Sequence, residues 1–421
     1  MSARLRRVRA DQIARERVDP VDDATLREAA AIVERVRRDG DDALRAYAAK
    51  FGELSASDAL VHPRSALEHA RDALPQADRE VLERVAERVR TFARAQRESL
   101  VPMSLAIPGG RAGQALAPVA TAGCYAPGGR FPLPSSVIMT AVTAREAGVP
   151  SVWVASPRPG MVTLAAAAVA GADAVLAVGG AHAIAALAYG TASVPACDVV
   201  VGPGNRWVTA AKKLVSGAVG IDMLAGPSEL VVLADGTSGS AAVMAADLLA
   251  QAEHDPDALP VLVTTDARLA DDVDAAIESQ LSDLETADTA RSAVANGMSV
   301  VVQSEAEAIE VVDRLAPEHL QVVSRNASAL AARCRHYGAI FIGDDAAEVL
   351  GDYGAGPNHV LPTGTVARYA GGLSVFAFVR VRTWIEVNDL RAARGLYDDA
   401  EHLAKLEGLH GHARAAKARR R

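Results

Sequence analysis

The chain has 421 residues, 50% of them hydrophobic, 23% charged and 4% aromatic, enough length for two or three domains at roughly 150 residues each. Lys and Arg number 44 against 52 Asp and Glu, and the net charge of −8 argues against a general nucleic-acid binder. Cys124, Cys197 and Cys334 are widely spaced and form no CxxC pair, which excludes a disulfide scaffold and a thiolate zinc finger. A transition metal would have to be held by imidazole and oxygen, and ten histidines are present.

The basic N-terminus, MSARLRRVRADQIARERVDP, is followed by no apolar stretch, so no secretory signal is expected. The weakly polar run at about 161–190 is broken by Asp173, His182 and glycines, which argues against a membrane span and makes a soluble, cytoplasmic protein the expectation. In 24–51 and 78–96 apolar positions recur at three and four, the period of amphipathic helices. From about 117, short β-branched runs alternate with Ala-rich stretches. The runs are 151–156, 174–179, 198–205, 229–236, 260–266, 298–304, 320–324 and 339–343. Such alternation predicts βαβ units and buried parallel sheet, too much for one mononucleotide fold. Two α/β domains follow, one inserted in the other or one after the other.

No GxGxxG follows any of these runs. Three glycine-rich turns (Gly128-Gly129, Gly179-Gly180 and Gly202-Pro203-Gly204) do fall at strand ends, where open α/β sheets bind ligands. Beyond 365 the alternation stops, and the tail ends in an amphipathic helix with a basic end.

Four places carry chemistry. Gln251 and His254 lie three apart at the end of a predicted helix that Pro256 stops, so both could reach one metal ion, though a helix surface has the same pattern. Asp352 and His359 sit in the irregular stretch GDYGAGPNHVLPTG, suited to metal ligation or substrate contact. His412, five after Glu407, adds an imidazole or is an exposed helix histidine. Glu318 and His319 open a strand; a carboxylate and an imidazole can divide acid–base labour, but neighbouring side chains diverge and would act on different protons. A turn with a capping role is the alternative.

In order along the chain, GCYAPGGRFPLPSSV, GGAHAIAALAYGT, VGPGNRWVTAAKK, IDMLAGPSE, QAEHDP, APEHL, GDYxxGPNHVLPT and EGLxxH closely resemble the signature segments of the histidinol dehydrogenase family. The resemblance runs from about 100 to the C-terminus. It implies an enzyme with one Zn2+ per subunit that oxidises L-histidinol to L-histidine through bound L-histidinaldehyde, using two NAD+. It implies the metal ligands Gln251, His254, Asp352 and His412, and the acid–base pair Glu318 and His319. His319 would take the alcohol proton, and Glu318 would activate water for the second oxidation. Ser228, His359 and Glu407 would touch the substrate together with His319 and the metal ligands, and Tyr125, His182 and Asn205 would bind NAD.

The resemblance also implies a homodimer whose C-terminal segment completes the partner's site; the charge balance and the broken apolar run lead to the expectation of no nucleic-acid and no membrane partner. Two departures stand out: His182 replaces the family's usual Gln, and Gly371 to Trp384 strays from the usual pattern. Relatives of this fold oxidise other small alcohols such as sulfonated diols, the alternative that Ser228 and His359 disfavour. The expected α/β architecture has two Rossmann-like parallel-sheet domains, one inserted in the other, with a helical N-terminal region and a small C-terminal segment. Its expected divisions are an arm over 1–20, a first domain over 21–123 and 231–369, a cofactor domain over 124–230, and a terminal segment over 370–421.

Overall fold

The computed structural model describes residues 4–13, 19–55, 57–128 and 132–420; Gly129 of the first glycine-rich turn and parts of the N-terminal arm lie outside them. All eight expected runs are strands, and they belong to two six-stranded sheets. The first sheet has the order Val61–Pro63, Ala174–Leu176, Ser151–Ala155, Thr121–Tyr125, Val199–Val201, Gly220–Ile221, and only its Val61–Pro63 edge is antiparallel. The second, wholly parallel, has the order Arg6–Arg7, Met298–Val301, Leu259–Thr264, Glu229–Ala234, His319–Val323, Ala339–Ile342.

Both faces of these strands are covered, which is why their apolar residues run continuously. In Glu229–Ala234, Leu230 and Val232 pack with Leu248 and Leu249 on one side. Val231 and Leu233 pack with Val311 and Val312 on the other.

The N-terminal helices do not join the domain expected for them. Helix Asp23–Lys50, capped by Asp22 accepting from the Thr25 N–H, buries Val33, Val36 and Leu44 against Ile184 and Leu187. Helix Gln76–Glu98 buries Leu82, Ala86 and Val89 against Val137, Met139 and Val152. Residues 21–123 therefore share their core chiefly with 124–230, and from 231–369 only Val360 joins that core. The apolar stripes of these helices are needed to cover the two faces of the first sheet. Strand Arg6–Arg7 pairs with Met298–Val301, so the first-sheet domain is an insertion between the edge strand of the second domain and the rest of it.

Residues 371–384, expected to stray from the family pattern, include the turn Val375–Phe378 and the first part of strand Val379–Val387, which pairs antiparallel along its length with Gly110–Pro118, itself paired with Met103–Ile107. Helices Arg394–Leu406 and His410–Lys417 follow and pack on each other. This arm leaves Leu105, Val381, Ile385, Leu403 and Leu406 exposed, Ile385 by 74%. Among the described residues no helix is long and apolar enough to cross a membrane.

Candidate functional site

Glu318 and His319 stand where the chain enters the second sheet. Helix Glu305–Leu315 ends in left-handed Ala316, and His319 starts its strand in register with Leu230 of the neighbouring one. The ring Nδ1 of His319 lies 3.1 Å from the backbone carbonyl of Glu229. That oxygen can only accept, so Nδ1 carries the proton and Nε2 the lone pair. Nε2 is buried without a hydrogen-bond partner, 3.8 Å from Asp352 Oδ1 and 3.9 Å from Glu348 Oε1. Burial lowers the His319 pKa to about 4, outweighing the pull of Asp352. The imidazole is thus a neutral base with its lone pair free.

Glu318 is locked to the same neighbour. Its Oε2 accepts the Glu229 N–H at 2.9 Å, and its own N–H donates to Glu229 Oε2 at 3.4 Å. Burial raises the Glu318 carboxyl well above the usual range; the Glu229 N–H opposes this, and the charges of Glu229, Asp352 and Glu348 reinforce it. Burial thus favours the protonated form of this carboxyl, which makes it a stronger proton acceptor than an exposed glutamate.

Asp352 ends the short helix Glu348–Asp352, so Glu348, four residues earlier, shares its face. Ligand atoms of His319, Glu348 and Asp352 lie within 4.8 Å of one another, close enough to hold a metal ion. His254 follows the end of helix Ala241–Ala252, with Nε2 3.6 Å from Asp352 Oδ2. His359 donates from Nδ1 to the Asp352 carbonyl at 2.9 Å and sets Nε2 3.4 Å from Ser136 Oγ, across the domain junction. Gln251, on the helix that contacts Glu348–Asp352, is fully buried with both amide atoms unpartnered. Burial, with the charges of Asp352 and Asp247, pushes Glu348 up to about 9. Orphaned amide and carboxylate atoms beside unprotonated imidazole fit a cation bound by nitrogen and oxygen.

Ser228 immediately precedes Glu229 and is half-buried. Glu407 and His412 are not brought to this cluster. Both are exposed on the C-terminal arm, and no hydrogen bond or ion pair among the described residues links them to it.

The expected cofactor residues cluster instead at the carboxyl edge of the first sheet, where strand order reverses. Tyr125 ends the central strand, and its hydroxyl accepts the Gly180 N–H at 3.1 Å. Asn205 caps helix Arg206–Val215, its Oδ1 accepting from the N–H groups of Trp207 and Val208. Gly202 has φ +116°, and a Cβ there would come within 2.0 Å of the Tyr125 carbonyl, so only glycine fits. A buried Lys212–Asp222 ion pair holds this loop: Lys212 Nζ donates to the Gly202 carbonyl at 3.0 Å, and Asp222 accepts the Gly202 N–H at 2.7 Å.

His182 faces the N-terminal helix. It is 1% exposed, with Nε2 2.8 Å from Glu53 Oε2 and its ring against Tyr47 and Phe51. Glu53 also accepts the Gly179 N–H at 3.2 Å. Glu53, Glu229 and Glu348 were given no role from the sequence. Glu348 had a usable signal, because four residues separate it from Asp352, and Glu229 closes the segment IDMLAGPSE; Glu53 is brought in only by tertiary packing.

Two parallel-sheet domains that meet at a buried imidazole–carboxylate centre, one of them with a glycine-rich crevice, define an α/β enzyme. The model of the histidinol dehydrogenase family matches residues 15–420. Histidinol dehydrogenase of Bordetella parapertussis is 44% identical over 405 residues, covering 94% of this chain and 91% of the relative. That of Thermus thermophilus is 44% identical over 392 residues, covering 92% and 93%. The crystal structure of histidinol dehydrogenase from Elizabethkingia anophelis superposes with a TM-score of 0.89 at 29% identity, covering 97% of this chain and 94% of that one. The chain belongs to the histidinol dehydrogenase family and is an oxidoreductase.

Proposed function

We propose that the protein catalyses the zinc-dependent, four-electron oxidation of L-histidinol to L-histidine through bound L-histidinaldehyde, reducing two NAD+ in the last steps of histidine biosynthesis. The observation that carries this reading is a neutral His319 whose unpartnered Nε2 faces Asp352 beside a proton-avid Glu318. Gln251, His254 and Asp352, with His412 from a second copy, would hold one zinc ion per subunit. When bound, zinc supplies a fixed positive charge that anchors the substrate imidazole and amino nitrogen, and NAD+ supplies the hydride acceptor.

The residues of the chain divide the proton work. His319 Nε2 takes the hydroxyl proton while the carbinol carbon loses hydride, leaving the aldehyde. Glu318 takes a proton from water as its oxygen adds to the aldehyde carbon; loss of the second hydride from this hydrate gives the carboxylic acid. Ser228, His359 and Glu407 hold the substrate in place. Tyr125, Asn205 and the α/β crevice carry NAD, with His182 acting at its edge.

The apolar arm, exposed along Leu105, Val381 and Ile385, supports a homodimer in which Glu407 and His412 reach the site of the partner. The acidic balance speaks against a nucleic-acid partner, and a role in amino-acid biosynthesis fits a cytoplasmic enzyme. A substrate panel with zinc and NAD+ tests the reading: L-histidinol should be the best alcohol. Inert histidinol with turnover of another small alcohol, such as a sulfonated diol, would overturn it.

A further inference from the structure

Four polar groups of one residue meet the acid–base pair and its surroundings. The backbone N–H of Glu229 donates to Glu318 Oε2 at 2.9 Å, and its carbonyl accepts from His319 Nδ1 at 3.1 Å. Its carboxylate takes two more N–H groups: that of Glu318 at 3.4 Å on Oε2, and that of Gly364 at 3.0 Å on Oε1. Gly364 closes the irregular segment that begins after Asp352 and carries His359. One side chain therefore ties together the start of its own strand, the start of the next strand, and the segment that crosses the domain junction. A serine or threonine at this position is too short to accept both N–H groups, and a neutral amide would turn an NH2 toward one of them. Leaving either donor unpaired in this buried place lets the peptide that orients Glu318 shift.

We propose that Glu229 is the positioning residue of the acid–base pair, its carboxylate fixing the peptide of Glu318 so that the carboxyl of Glu318 meets the water that adds to the aldehyde. The proposal deepens the reading given above and rests on the role that reading gives to Glu318. The His319 contact is made by the Glu229 backbone and survives any side-chain substitution. The side chain should therefore matter more for the second oxidation than for the first.

The test uses the zinc-loaded enzyme and measures the two oxidations separately, from L-histidinol and from supplied L-histidinaldehyde. Glu229→Ala should lower kcat for the aldehyde about 10- to 100-fold. Glu229→Gln, isosteric and keeping one acceptor oxygen, should lose less. Both should keep stoichiometric zinc and a histidinol KM within about twofold of the parent. Glu229→Gln combined with Glu318→Gln should be no slower than Glu318→Gln alone, because the two act through one group.

Multiplying losses in the double variant would mark Glu229 as an independent structural residue and overturn the proposal. So would an unaltered aldehyde rate in Glu229→Ala while Glu318→Gln is slow. If Glu318→Gln itself leaves aldehyde oxidation intact, the role of Glu318 falls first and the proposal falls with it, a result separable from the other two.

Discussion

At the residue scale, Glu318 and His319 are neighbours whose side chains diverge, yet both are oriented by the same adjacent strand: His319 through the Glu229 carbonyl, Glu318 through the Glu229 N–H. Replacing His319 by Asn should leave zinc stoichiometry unchanged and remove the first oxidation; metal analysis with single-turnover NADH formation checks this, and an unaltered rate would remove His319 as the base. His254→Ala should lose zinc and activity together, by atomic absorption and by rate.

Glu348 offers a pH test. Its carboxyl has an ordinary value of 4.5 and is raised to about 9 by burial and by Asp352, so between these values the folded chain binds a proton that the unfolded chain releases. Stability should fall as pH rises through that window in chelator-treated protein. Glu348→Gln should flatten the slope and stabilise that protein by at least about 1 kcal/mol at pH 8, read by denaturant unfolding. Glu318, His319, His254 and Asp352 stand in short segments that the family resemblance picked out, whereas their types and spacings alone left a helix surface or a capping turn open. Glu229 and Glu348 act through carboxylates whose partners are fixed only by strand register and by a five-residue helix.

At the element scale, the loop between strand Val199–Val201 and helix Arg206–Val215 shows what positions the crevice. Gly202→Ala would drive a Cβ into the Tyr125 carbonyl, so the loop must move, and the KM for NAD+ should rise several-fold more than that for histidinol. Lys212→Met would leave Asp222 charged, buried and unpaired, at a cost of about 3–5 kcal/mol in unfolding experiments.

The eight strands read from the sequence were visible because β-branched runs covered on both faces leave a continuous apolar signature. Thr121–Tyr125 lacks that signature, being built from Thr, Ala, Gly, Cys and Tyr, although it is the central strand of its sheet. Periodicity likewise marked amphipathic helices over 24–51 and 78–96, found as Asp23–Lys50 and Gln76–Glu98, but nothing in a 3.6-residue period says which sheet the stripe will cover. Their domain assignment differed for that reason.

At the scale of the whole molecule, the centre built by the second sheet lacks His412 and Glu407, which stand on an exposed apolar arm. If the proposed homodimer forms, mixing His254→Ala protein with His412→Ala protein, under conditions that exchange subunits, should restore about a quarter of parental activity, since half the dimers would carry one intact shared site. A site completed within one chain would give no recovery. Sequence motifs pointed to these two residues, but the distance between the arm and the cluster is a property of the folded subunit.

The most direct measurement is the amount of NADH formed per histidinol consumed by the zinc-loaded enzyme at completion. Two NADH per histidinol, with histidine as the product, is the expected result. One NADH with accumulating aldehyde, or no turnover of histidinol, would contradict the assignment of both oxidations to Glu318 and His319.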